Sequence, residues 1–305
     1  MQSSDSSDSS KMLSSNNAKN EFLTACAALK NVNGEQIPEL PFGEWNLYEL
    51  ADDCTKVYNK YGKFRVIEKK IDAASTTKPT LVVMAGYSLK SFCGSAQIIM
   101  DNLHMLVRKY KAIYIICYES FDGFSDNAAA ERDVQRGKSA AENPALTKPI
   151  DSLEYREFVF GGPKGEIEMY TELGAIVDKV IRCLGLTNVH LLGKSAGGGT
   201  AMNIVYTNPI YKRLYLAVPA HPTYCKSLEK LGARLNEMKV IIGWNENDDR
   251  NLAGVPSNKN MELFEPILAS LKAKYPGFQY QQHRFTPGNF HEINPKLLEL
   301  IAADK

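Results

Sequence analysis

From about residue 60 onward the chain alternates short apolar runs with longer stretches of helical period. Runs at Lys63 to Glu68, Thr80 to Ala85, Ala112 to Glu119, Asn188 to Gly193, Arg213 to Pro219, Lys239 to Trp244 and Gln279 to Phe285 read as strands. Between them the pattern predicts helices at Ser95 to Tyr110, Glu166 to Leu184, Gly198 to Thr207, Tyr224 to Leu235, Asn258 to Lys274 and Pro295 to Ala303. In the first of these helices Ile98, Ile99, Leu103, Leu106 and Val107 recur at three- and four-residue steps, so one face is buried. The inner strands are apolar at successive positions rather than at alternate ones, which requires cover on both faces of the sheet. Strands alternating with helices then give an α/β chain with a mostly parallel central sheet and helices on both faces.

Two stretches break the rhythm. Residues 1–20, "MQSSDSSDSSKMLSSNNAKN", have too little apolar surface to offset the entropy of ordering and read as a disordered Ser-rich tail. Residues 120–165, between the strand ending near Glu119 and the helix starting near Glu166, are mixed in character and too long for a structureless loop. They read as a functional insertion or lid within a single domain spanning 21–305.

Composition narrows the partners. A net charge of +1 with 23% charged residues generates no field that would draw nucleic acid or an anionic membrane, so a small molecule or another protein is the expected partner. Runs such as Thr80 to Ala85 fall far short of the roughly 20 apolar residues a membrane-spanning helix needs. The N-terminus lacks a basic region followed by an apolar one, and a cytoplasmic location is expected. Six cysteines (Cys26, Cys54, Cys93, Cys117, Cys183 and Cys225) include no C-x-x-C pair and fit neither a zinc site nor a dense disulfide scaffold. They read as small buried hydrophobes with free thiols.

Candidate chemistry centres on Gly193-Lys194-Ser195-Ala196-Gly197, which follows a predicted strand and precedes a predicted helix. A serine hydroxyl is a poor nucleophile until a base takes its proton, and the base needs a third group to fix its tautomer. In an α/β sheet such groups belong at the carboxyl ends of strands. The strand Lys239 to Trp244 runs into Asn245-Glu246-Asn247-Asp248-Asp249-Arg250, a turn with candidate carboxylates at 246, 248 and 249. The strand Gln279 to Phe285 runs into Thr286-Pro287-Gly288-Asn289-Phe290-His291-Glu292. Small residues around Ser195 suit a strained turn, and the following helix points free N–H groups toward it.

With "GKSAG", "GWNENDD" and "PGNFHE" in that order, the chain resembles the α/β-hydrolase fold family over about residues 62–303. The resemblance implies an insertion after the fourth core strand. It implies Ser195 as nucleophile, His291 as base and later acid, and Asp248 as orienting carboxylate, with Asp249 and Glu246 as substitutes. It also implies an oxyanion hole from the backbone N–H of Ala196 and one from Tyr87 or Ser88, where Ala85-Gly86 replaces the family's common His-Gly. Gly86, Phe121, Phe124, His221 and Phe290 are candidates to line the pocket, joined by Phe92, Phe158 and Phe160, which core packing explains equally.

His283 falls inside the last predicted strand and is placed to pack or face solvent, and His104 reads as structural. Lys194 is either turned away from the site or available to an anionic substrate. The implied activity is cleavage of a carboxylic ester through an acyl-enzyme, with a small-molecule ester or thioester as substrate and neither metal nor organic cofactor. Alternatives are a thioesterase or acyltransferase using the same triad, and a low-turnover ligand-binding member of the fold. An aspartate is needed at the elbow for epoxide hydrolase or dehalogenase chemistry, and Ser195 stands there instead. Oligomeric state is not legible.

Overall fold

The computed structural model describes residues 12–13, 45–50, 64–86, 89–118, 171, 174–182, 184–219, 222–248, 251–252, 255–256, 259–286 and 291–305. Their strands are β1 (Met12–Leu13), β2 (Asn46–Leu50), β3 (Phe64–Lys70), β4 (Thr80–Met84), β5 (Ala112–Tyr118), β6 (Val189–Lys194), β7 (Tyr211–Ala217), β8 (Lys239–Asn245), β9 (Asn251–Leu252), β10 (Val255–Pro256) and β11 (Gln279–Phe285). Nine of them form one sheet in the order β1-β2-β3-β5-β4-β6-β7-β8-β11, while β9 and β10 pair separately. Pairing is antiparallel from β1 through β2 and β3 to β5, and parallel from β5 through to β11.

Consecutive residues of β4 explain its unbroken apolar run. Val82 and Met84 pack into one core cluster and Leu81 and Val83 into the other, so the strand is greasy on both sides. On the first face lie a helical segment at 174–182, α3 (Ala196–Ile204), a 3₁₀ stretch (Pro222–Glu237) and α4 (Asn260–Lys274). On the second lie α1 (Leu89–Asp101), α2 (Leu103–Leu106) and α5 (Pro295–Ala303). The expected fold class is therefore the observed one.

Several elements depart from the sequence reading. The helix expected over Ser95 to Tyr110 starts earlier, at Leu89, and breaks at Asn102, whose side-chain amide donates to the Ile98 carbonyl at 2.8 Å and competes with the helical ladder. The helix expected over Tyr224 to Leu235 is 3₁₀, with Gly232 at φ 56° inside it. β2 escaped notice because its sequence, NLYEL, mixes polar and apolar positions. Within the stretch read as a disordered tail, Met12 and Leu13 form β1 and pair with Leu50 and Glu49. They are an apolar pair in a polar stretch, and the open edge of β2 satisfies their backbone groups. The remainder of the tail and the whole of residues 120–165 lie outside the described residues.

The cysteine reading also needs a correction. Cys225 is free and buried, and burial pushes its thiol pKa up, but Cys93 is disulfide-bonded. Sequence spacing missed this because a bridge depends on which thiols the fold brings together. The side chains of Cys26, Cys54, Cys117 and Cys183 lie outside the described residues.

Candidate active site

The elbow is a steric consequence of small residues. Ser195 follows β6 with φ 53° and ψ −120°, a backbone state that costs a non-glycine residue about 1–3 kcal/mol. Its surroundings hold it there: Ser195 N–H donates to the Ala217 carbonyl at 3.0 Å, and the Ser195 carbonyl accepts from Gly198 N–H at 2.9 Å. A Cβ at Gly193 would strike the Gly197 carbonyl, and a Cβ at Gly197 would strike the carbonyls of Met84 and Ala85. Ser195 is the one partly exposed residue between 189 and 205, so the turn lifts its hydroxyl out of a buried strand and a buried helix.

Ser195, His291 and Asp248 come together at this point. His291 Nε2 lies 2.7 Å from Ser195 Oγ, and His291 Nδ1 lies 2.7 Å from Asp248 Oδ2. A carboxylate can only accept, so Nδ1 carries the proton and Nε2 offers a lone pair to the serine O–H. Asp248 and His291 are 1% and 4% exposed, which leaves water few routes to either bond.

Asn245, at the end of β8, stitches the two loops together. Its Nδ2 donates to the Glu292 carbonyl at 2.8 Å, its Oδ1 accepts from Asn294 Nδ2 at 3.0 Å, and its own carbonyl accepts from Asp248 N–H at 3.2 Å. Asn294 in turn caps α5 by accepting from Lys296 N–H at 3.0 Å. Of the substitute acids, Glu246 is exposed and accepts from Thr286 Oγ1 at 2.5 Å, away from His291, while Asp249 lies outside the described residues.

On the opposite side of the serine, Gly86 follows β4. A Cβ there would lie 2.5 Å from Ser91 Oγ and 3.5 Å from Ser195 Cβ, so this segment borders the nucleophile. Ala196 is the first residue of α3, whose leading N–H groups have no intrahelical acceptors. Tyr87, Ser88, Phe121, Phe124, Phe158, Phe160, His221 and Phe290 lie outside the described residues.

The remaining candidates have other surroundings. Phe92 is fully buried in a core cluster. His283 stacks on Phe285 on the edge strand β11, and His104 is exposed on α2. Lys194 is 2% exposed, with its ammonium 2.9 Å from Glu292 Oε2 and 2.8 Å from Ser91 Oγ, so it is turned inward and does not face a substrate anion. Asn245, Glu292 and Asn294 carry no sequence signal beyond adjacency to the acid turn and to His291.

The topology now defines the class. Antiparallel leading strands, a β3-β5-β4 crossing, helices on both faces, a strained serine after β6, a carboxylate after β8 and a histidine after β11 make up the α/β-hydrolase fold, and the chain has that fold. Among solved structures the chain is similar to a Pyrobaculum calidifontis esterase, at 13% identity over 94% of this chain and 91% of that one, with a TM-score of 0.47. It is also similar to a carboxylesterase from Bacillus subtilis, at 11% identity over 94% and 95% with a TM-score of 0.43. A further likeness is to Est1E from Butyrivibrio proteoclasticus, at 12% identity over 80% and 96% with a TM-score of 0.42. Likenesses this distant say nothing about activity. No protein-family model matches the chain, and no curated protein matches it.

Proposed function

We propose that the chain is a serine hydrolase that cleaves a carboxylic ester through an acyl-enzyme. The observation that carries this reading is the pair of 2.7 Å contacts running from Ser195 through His291 to Asp248. As Ser195 Oγ attacks the ester carbonyl carbon, its proton passes to His291 Nε2, and Asp248 stabilises the imidazolium that forms. The carbonyl oxygen becomes an oxyanion facing the backbone N–H of Ala196 and a second donor from Tyr87 or Ser88. Collapse breaks the bond to the alcohol oxygen, which takes the proton from His291. Water then attacks the acyl-enzyme, gives a proton to His291, and the acid leaves as that proton returns to Ser195. Nucleophile, base and acid all come from the chain, so the scheme calls for no metal or organic cofactor.

The test is intact-mass and peptide mapping after exposure to a fluorophosphonate. Expected is one adduct on the Ser195 peptide, lost in Ser195→Ala and sharply reduced in His291→Ala. A folded wild-type protein that takes no adduct would sink the reading and favour a low-turnover binding protein. An ester and thioester panel of graded chain length then separates esterase from thioesterase.

Among the described residues no helix is long and apolar enough to cross a membrane. The cytoplasmic location expected from sequence stands against the Cys93 disulfide, a bond that oxidising compartments keep. Intact mass of the native protein after alkylation of free thiols shows whether that bond is formed.

A further inference from the structure

Three segments of the candidate site meet on one buried ammonium. Lys194 immediately precedes Ser195, and its Nζ is 2.9 Å from a carboxylate oxygen of Glu292, the residue that immediately follows His291. The same Nζ is 2.8 Å from Ser91 Oγ on α1, the helix that continues from the Gly86–Ser88 segment. Ser91 Oγ is also the atom a Cβ at Gly86 would meet, at 2.5 Å, so the bridge lies directly behind Gly86. The Glu292 carboxylate rests over Gly94 of α1, where a Cβ would come within 3.3 Å of Oε1. The neighbours of Ser195 and His291 in the chain are thereby tied to each other and to the wall behind Gly86.

Stability alone does not account for such a bridge. A buried lysine pays a desolvation cost that its carboxylate partner barely repays, and a well-packed apolar pair holds a fold as well or better. What an ammonium adds is several directed donors on one centre, which specify the mutual position of their acceptors. An error of about 1 Å between reacting groups lowers rate about 10²-fold. We infer that Lys194 and Glu292 form a positioning pair, which sets the approach of His291 to Ser195 and the seat of Gly86. The inference rests on the serine hydrolase reading.

The experiment compares wild type, Ser195→Ala, Lys194→Met, Glu292→Gln and the double variant Lys194→Met/Glu292→Gln. Three quantities are measured: the second-order rate of fluorophosphonate labelling, kcat and KM on p-nitrophenyl acetate, and the melting temperature. Expected is a fall of about 10- to 100-fold in labelling rate and kcat for all three pair variants, with KM within about twofold. The single variants melt lower, and the double variant regains stability without regaining rate.

A double variant that recovers both stability and full rate overturns the inference, as does a folded single variant that labels at the wild-type rate. If Lys194→Met does not fold, Glu292→Gln carries the test, because the Glu292 side chain is 33% exposed and its amide keeps an acceptor. Wild type labelling no faster than Ser195→Ala defeats the hydrolase reading itself and takes the pair's role with it.

Discussion

The two ends of β6 hold two buried histidines in opposite circumstances. Near the amino end, His190 lies between Tyr110 and Tyr215, whose hydroxyls sit 3.2 Å and 3.4 Å from its Nδ1. Beyond the carboxyl end, His291 has a carboxylate on one ring nitrogen and a serine hydroxyl on the other. Burial, then the nearby Lys109 and Arg213 charges, push the His190 pKa down to about 3 and keep its ring neutral. The carboxylate in that neighbourhood, Asp304, is taken up by Lys239, Tyr215, Arg213 and Lys109. A buried histidine is thus structural where hydroxyls and cations surround it, and a candidate base where an acid is dedicated to it.

Backbone strain divides the same way. Among the described residues the non-glycine positions with positive φ are Ser195, after β6, and Val218, after β7, both at the carboxyl end of the sheet. Val218 is held at φ 40° with its N–H donating to the Gly243 carbonyl at 2.8 Å. No such residue occurs at the amino end among the described residues, where Lys109 instead ties the C-terminal helix down through the Ile301 and Asp304 carbonyls.

The sharpest break of this contrast is Ser195→Ala, expected to lower kcat on an activated ester by about 10⁴-fold or more, with the melting temperature little changed. Next comes Asp248→Asn, which keeps the shape but favours the wrong tautomer of His291 and should cost about 10⁴-fold in kcat. A loss under tenfold would show that another carboxylate serves His291. At the other end, His190→Phe should leave kcat within about twofold while lowering stability by about 1–3 kcal/mol, because the Tyr110 and Tyr215 hydroxyls each lose a ring nitrogen as partner in the core. Matched kinetics and denaturant melts read both effects.

The pH dependence of folding sharpens the comparison further. Unfolded, the His190 imidazole takes a proton below about pH 6.5, whereas folded it resists until about 3. The unfolded state is therefore the more protonated in that window, and stability falls as pH is lowered through it, by about 1.4 kcal/mol per unit from this group. Urea titrations of wild type and His190→Gln between pH 7 and 4 should diverge with that slope; parallel curves would remove His190 as the cause. Smallest is Ser195→Gly, which relieves the φ 53° strain and should raise stability by about 1 kcal/mol in an inactive protein.

How much of this could be read from residues alone follows from how local each feature is. The run Thr80 to Met84 announces a strand covered on both sides because burial is written into every position. That Ser195, Asp248 and His291 could meet is legible because each sits just past a strand with glycine or turn residues around it. The choice among Glu246, Asp248 and Asp249 was not, since it depends on where Asn245 pins the turn. Whether Lys194 turns away or meets a substrate anion is not written locally either, since its burial follows from Glu292, nearly a hundred residues later in the chain. β2 stayed hidden because an antiparallel strand near the sheet's edge needs no continuous apolar run.

The seating of Gly197 against the Met84 and Ala85 carbonyls also has a kinetic meaning. With no room between them, β4, β6 and the start of α3 travel as one body, and the elbow has no hinge. In the hydrolase proposed above, this block then contributes no motion on the microsecond-to-millisecond scale of loop gating. Relaxation dispersion should stay flat on the amides of 193–198, and exchange broadening there would break the single-body reading.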